Sequence, residues 1–163
     1  MDLRKMLIST LVFPHLDYCC LVYNDLTSEL NTKLQKALNS CVRFIFNLRK
    51  DEHITPHLLS LRWLNCENRR KYFLGMMFYV LLSTRVPSYL ASSLVFKCNV
   101  KKRFTRTDLT ELVIPVLRTT TYQRSFVIAG SKFWNSMPVS IKTSKTLSTF
   151  KSKLYDHLFH IQQ

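Results

Sequence analysis

The chain has 163 residues, of which 47% are hydrophobic, so it can build one folded domain or two small ones, and this composition disfavours wholesale disorder. The two glycines disfavour turn-rich β-sandwiches and glycine-rich phosphate loops. Lys and Arg number 24 against 10 Asp and Glu, a formal net charge of +14. This excess indicates a polyanionic partner, with nucleic acid favoured over an acidic membrane or protein and over a merely solvated basic surface.

The first 13 residues imitate a signal peptide, because the charged MDLRK precedes the apolar MLISTLVF. No small-x-small cleavage site follows, so we predict a helix over 3–13 that packs in the core and that Pro14 ends or kinks. The stretch PHLDYCCLVYN then forms a second short helix or continues the first. The predicted helix carries apolar residues close to helical spacing at Leu3, Met6, Leu7, Leu11 and Val12.

A long amphipathic helix is predicted over 28–48, with Asp25 or Thr27 as its N-cap. Its apolar face consists of Leu30, Leu34, Leu38, Cys41, Val42, Ile45 and Leu48. Lys33, Lys36 and Arg43 lie off that face. They are either a solvated surface or a stripe that follows a phosphate backbone.

The central helix is predicted over 66–82, after a loop at 51–56, a short helix at 57–61 and a packed Trp63. From Tyr72 to Leu82 it is apolar almost all round, which predicts burial on every side, and about 16 Å of rod is too short to span a bilayer. Its basic first turn, Arg69 to Lys71, is predicted to reach the surface. Cations there oppose the helix dipole, and an anionic partner would relieve that mismatch.

After the central helix, the sequence predicts a short helix after Pro87 and a basic loop at 101–106 around Phe104. Extended chain is predicted over 111–123. A helix at 125–134, a turn at 135–138 and a last helix at 146–159 complete the chain. The basic loop either grips a single strand or is a flexible linker. The fold class is therefore mainly α, a compact helical bundle around a buried central helix, with a short extended segment before the carboxyl-terminal helices. The expected domains are 1–96, and 97–163 as a basic linker with a carboxyl-terminal extension, unless both pack as one.

Five pieces are the most distinctive: LISTLVFPHLDYCCLVYN, LQKALNSCVRFIFNL, HLLSLRWLNCENRRKYFLGMMFYVLL, VPSYL and SFVIAGSKFWNSMPVSIKTSKTLSTFKSKLYDHL. In order and spacing they resemble the region downstream of the polymerase palm in reverse transcriptases of non-LTR retrotransposons, LINE-like elements of the jockey and CR1 type. The resemblance covers nearly the whole chain. It implies a thumb with its following helices and then a carboxyl-terminal extension.

The resemblance also implies what is missing. Polymerisation in that family uses palm carboxylates that hold two magnesium ions, and this chain has no Asp-Asp pair. We therefore expect no catalytic residue, no metal, no cofactor and no copying of nucleic acid by this chain alone. The expected partner is an RNA or RNA–DNA duplex, contacted at its phosphates, together with the rest of a reverse transcriptase, and no membrane. The predicted phosphate contacts are Lys33, Lys36, Arg43, Arg69, Arg70, Lys101, Lys102, Arg103 and Arg106.

Other chemistry has weaker signals. No CxxC pair supports a zinc site, so the five cysteines are predicted to be reduced and largely buried in an intracellular protein, nuclear or cytoplasmic and not secreted. His157 and His160 are interpreted as a solvated helix end, and Trp63 and Trp134 as core residues. The alternative function is a protein-interaction or self-associating module without nucleic-acid function, and a translated relic is a third possibility.

Overall fold

The computed structural model of the chain describes residues 2–100, 105, 109–116 and 119–162. This part is mainly α-helical and holds no sheet, which confirms the predicted fold class. A π-helical turn, Ile8–Val12, and a 3-10 turn, Lys97–Asn99, supplement the α-helices. The helices are α1 (Asp2–Leu7), α2 (Phe13–Asp17), α3 (Ser28–Phe46), α4 (Thr55–Ser60), α5 (Cys66–Thr84), α6 (Ser88–Ala91), α7 (Thr120–Gln123), α8 (Phe126–Ser136), α9 (Val139–Lys142) and α10 (Leu147–Ile161).

The chain divides into two compact units, each with its own buried side chains. The first unit combines Met1–Arg70 with His157–Gln163, and the second is Lys71–Asp156. Neither boundary coincides with the predicted division at 96/97. Helices α5 and α10 each run through a boundary between the units. The units are therefore not the predicted domains 1–96 and 97–163, and that division stays a prediction.

The amino-terminal helical segment is longer than predicted, and its buried residues differ from the predicted ones. It continues past Pro14 to Asp17, because the π-helical turn precedes the proline and closes with the Phe13 N–H on the Ile8 carbonyl. Its buried residues are Ile8 and Phe13. The prediction of core packing is wrong for Leu3, Met6, Leu7 and Leu11, which are exposed, whereas Val12 packs against the core as predicted.

Helix α3 confirms the predicted amphipathic pattern except at its two ends, because Leu30 is 43% exposed and Leu48 follows the end of the helix. It begins after Thr27, whose hydroxyl oxygen accepts a hydrogen bond from the Leu30 N–H. Its inner face buries Leu38, Val42 and Ile45. These residues form the core of the first unit together with Ile8, Phe13, Leu58, Trp63 and Cys66.

Helix α5 carries the predicted central segment but is not buried on every side. Leu74, Phe78 and Leu81 are buried, and the other residues from Tyr72 to Leu82 are half-buried apart from the buried Gly75. Bulky aromatic and methionine side chains on the remaining faces keep part of their surface in solvent. In the described part of the chain, no helix is long and apolar enough to cross a membrane.

In the second unit, the side chains of Asn135 and Trp134 bind an extended segment of the chain by hydrogen bonds. The amide side chain of Asn135 binds the backbone of Leu112 twice, accepting from its N–H at 2.8 Å and donating to its carbonyl at 2.9 Å. The indole N–H of Trp134 donates to the Thr110 carbonyl at 3.0 Å. Leu112 also makes an isolated antiparallel bridge with Phe96. This segment is therefore extended, as predicted, whereas the predicted extension to residue 123 is wrong because 120–123 is helical.

Both glycines of the chain lie where helices of the second unit approach closely. A methyl group on Gly130 of α8 would stand 2.0 Å from a ring carbon of Phe78, and one on Gly75 of α5 would stand 2.6 Å from a terminal methyl of Leu154. The Phe78 ring is fully buried and cannot yield, whereas the Leu154 methyl is the end of a flexible side chain.

We expect Gly130→Ala to lower the free energy of unfolding by about 1–3 kcal/mol, because overpacking against Phe78 outweighs the gain in helix propensity. Gly75→Ala is the matched control and should change it less. Urea unfolding followed by circular dichroism measures both variants. A Gly130→Ala protein as stable as the parent, or a more severe effect at Gly75, contradicts this packing.

Candidate nucleic-acid interface

The outer face of α3 presents three of the cations that the sequence predicted. Lys33 and Lys36 are exposed and Arg43 is half-exposed, opposite the buried Leu38 and Val42. The rise of an α-helix spreads the three cations over about 15 Å along the axis. Lys33 also pairs with Glu29 across one turn at 2.7 Å, with both side chains largely in solvent. Such a pair contributes little stability and opens easily to a phosphate.

Arg43 has a second role at the end of α3. Its guanidinium donates to the carbonyl oxygens of Arg49 and Lys50, at 3.3 and 3.0 Å, in the segment that follows the helix. The helix stops at Asn47, which adopts a left-handed conformation and donates its N–H to the Arg43 carbonyl. Arg4 reaches the same end, with one guanidinium nitrogen 3.0 Å from the Phe44 carbonyl. Four exposed or half-exposed cations therefore gather at the end of α3: Arg4, Arg43, Arg49 and Lys50.

Arg69 is committed to an internal ion pair. Two nitrogens of its guanidinium bind both carboxylate oxygens of Asp17, and the two side chains are only 22% and 23% exposed. The same guanidinium lies over the ring of Phe13, 4.1 Å from its centroid. Phe13 in turn packs edge-on against Trp63, with ring centroids 4.5 Å apart.

Arg70 is buried rather than at the surface. It is 6% exposed, and its guanidinium donates to the side-chain oxygen of Asn31 on α3. The prediction that this basic turn reaches the surface is therefore wrong for Arg70. The mismatch with the helix dipole is met internally, because Asp17 supplies the anion and two amide side chains cap the helix start. The Cys66 and Asn68 N–H groups donate to the side-chain oxygens of Gln35 and Asn65, respectively.

The basic loop of the sequence prediction lies outside the described residues. Lys101, Lys102, Arg103 and Arg106, with the interleaved Phe104, belong to this part, so their role stays a prediction. The described flanks are joined, because the Lys97 ammonium and the Glu111 carboxylate form an ion pair.

Most cations of the second unit are not among the predicted phosphate contacts. Fourteen of the 24 Lys and Arg residues, but three of the 10 Asp and Glu residues, lie between 71 and 156. Counting charge by segment would have found this asymmetry. Several of these cations are exposed on or beside α8 and α10, namely Arg124, Lys132, Lys145, Lys151 and Lys153.

The other candidate residues of the sequence are its possible metal ligands, its cysteines and its tryptophans. No cluster of metal-ligating side chains occurs within the described residues. All five cysteines carry free thiols, but the expected burial holds fully only for Cys20 and Cys66. Burial raises the pKa of both of these thiols, which keeps them protonated and poorly nucleophilic at neutral pH. Trp63 and Trp134 are buried, which confirms their prediction as core residues.

Comparison of the chain with protein-family models, curated proteins and solved structures gives no match. The likeness to non-LTR reverse transcriptases therefore rests on the five sequence pieces alone.

Replacing Asp17 with Asn tests the internal role of Arg69. We expect a loss of about 1–3 kcal/mol in the free energy of unfolding, because a half-buried guanidinium then lacks its acid. Lys36→Gln, which changes an exposed cation, should stay within about 0.5 kcal/mol of the parent. Chemical denaturation of the three proteins measures the difference. Equal stability of the Asp17→Asn variant and the parent would show that the pair does not hold the first unit together.

Proposed function

We propose that the chain is a nucleic-acid-binding module related to the thumb and carboxyl-terminal part of a non-LTR retrotransposon reverse transcriptase. It contacts the phosphate backbone of an RNA or RNA–DNA duplex and does not copy nucleic acid alone, because the family's palm carboxylates are absent from its sequence. Backbone contacts of this kind position a protein on a duplex without reading its sequence.

The observation that carries the proposal is the division of α3 into two faces. One face is buried in the core of the first unit, and the other presents Lys33, Lys36 and Arg43 to solvent. A helix anchored in this way fixes the positions of its cations, so binding to phosphates costs less conformational entropy. The net charge of +14 supplies the long-range attraction to a polyanion.

The proposed interface is the outer face of α3, and the cations of the basic loop stay a separate prediction from the sequence. Arg69 and Arg70 are left out, because phosphate binding would break their bonds with Asp17 and Asn31. This choice differs from the sequence prediction and follows from the geometry of these two side chains.

Affinity for a duplex RNA of random sequence, measured by fluorescence anisotropy across a salt series, tests the proposal. We expect log affinity to fall steeply with log salt concentration. The double variant Lys33→Gln, Lys36→Gln should weaken binding and flatten this slope by roughly one unit for each phosphate that it no longer neutralises. Both lysines are exposed, so the variant should fold like the parent.

The matched control is Lys132→Gln with Lys145→Gln, which removes the same charge from exposed positions of the second unit. It should change the salt slope much less. Binding that does not respond to salt, or a control that lowers the slope as much as the α3 variant, contradicts the proposed interface.

A second candidate, a self-associating module without nucleic-acid function, is favoured by the exposed apolar side chains of α1 and of the π-helical turn that follows it. Leu3, Met6 and Leu11 are 65%, 56% and 62% exposed, and Leu7 is also exposed. At spacings of three, four and eight residues, these side chains form one stripe on the helix. Contiguous apolar surface in solvent is typical of protein–protein interfaces.

If this stripe mediates self-association, sedimentation velocity will show a concentration-dependent dimer, and Leu3→Gln with Leu11→Gln will convert it to monomer. The control Val116→Gln with Val139→Gln removes exposed apolar groups elsewhere and should leave the dimer intact. A parent protein that is monomeric at every concentration excludes this candidate.

A further inference from the structure

A pocket of about 330 Å³ opens in the first unit, between the turn that follows α2, the first half of α3 and the start of α5. Its volume lies at the lower end of the range for small-molecule sites, about 300–1,000 Å³. The apolar part of its wall consists of Leu16, Tyr23, Leu26, Leu30 and Leu34. Cys20 and Cys66 complete this wall as neutral thiols, since burial raises the pKa of each.

The charged groups of the wall are unevenly balanced. Lys33, Arg69 and Arg70 line the pocket, but Asp17 is the one carboxylate among its lining residues. Asp17 is already bound by Arg69 through both of its oxygens. Lys33 at the rim shares its charge with the solvated Glu29.

Arg70 differs from the other cations of the pocket, because its guanidinium is buried and its hydrogen-bond partner is uncharged. The side-chain oxygen of Asn31 accepts from its guanidinium, and in the described part of the chain Arg70 forms no ion pair with an acid. A buried cation without a counter-charge is unfavourable, and an anion placed beside it relieves this cost. A guanidinium binds a carboxylate well, because its planar donors match the two oxygens.

We propose that this pocket is a binding site for a small amphipathic carboxylate. The alkyl part of the ligand lies against the leucine wall, and its carboxylate meets the Arg70 guanidinium. The site does not depend on the proposed nucleic-acid function, because its recognition group is the buried Arg70; Lys33 at the rim is the one residue named in both proposals.

Titration of the full chain with octanoate, followed by isothermal calorimetry, tests the proposal. Octan-1-ol is the matched probe without charge, and acetate is the matched probe without the alkyl chain. We expect saturable binding of octanoate and weaker binding of the other two. Failure of octanoate to bind at millimolar concentration, or equal affinity for octan-1-ol, overturns the proposal.

Two variants locate the site. Arg70→Met keeps the apolar stem and removes the charge, so it should lower octanoate affinity roughly 10-fold to 100-fold while leaving octan-1-ol binding unchanged. Leu30→Trp fills the pocket from a partly exposed position and should abolish binding of both probes, whereas the control Val116→Trp changes an exposed residue outside the pocket. If Arg70→Met does not fold, Leu30→Trp still decides the location.

Competition separates this site from the nucleic-acid interface. Octanoate should still bind in the presence of duplex RNA, because the buried Arg70 is not among the proposed phosphate contacts, and contact of RNA with Lys33 at the rim should lower its affinity only modestly. Octanoate affinity that is unchanged by Leu30→Trp, or complete displacement of octanoate by RNA, overturns the proposal of a separate carboxylate site.

Discussion

The ion pair between Asp17 and Arg69 is the constraint on which the first unit depends. These residues are 52 positions apart in sequence, and their bond joins the end of α2 to the start of α5. Phe13 lies under the guanidinium and packs on Trp63, so the pair sits on an aromatic platform rather than in water. A half-buried pair in this setting is stronger than one at the surface, and it holds the first turn of α5 against α2.

The pair also explains why sequence fragments that look unrelated belong together. PHLDY contributes Asp17, NRR contributes Arg69, and RWL contributes Trp63, which packs against the Phe13 ring beside the Arg69 guanidinium. The charged and aromatic side chains of these fragments are therefore partners in one set of contacts. A basic run in a strongly basic chain can therefore be structural, which shifts the proposed contact with nucleic acid towards exposed cations such as Lys33 and Lys36.

The local patterns of the sequence predicted most of the helices. The 3.6-residue period placed α3 with its buried face, and the apolar run placed α5, because both signals depend on neighbouring residues along the chain. The exposure of Leu3 and Leu11 could not be predicted, because their spacing fits either a core or an interface and only tertiary contacts decide between these. The burial of Arg70 was equally hidden, since its partner Asn31 lies on another helix.

The junction of Phe96 and Lys97 with Glu111 and Leu112 joins two points of the second unit that are far apart in sequence. Two ends that are bonded to each other move together, so the connection between them does not act as a spacer between two separate bodies. The ends of the connection are therefore fixed by the fold of the second unit.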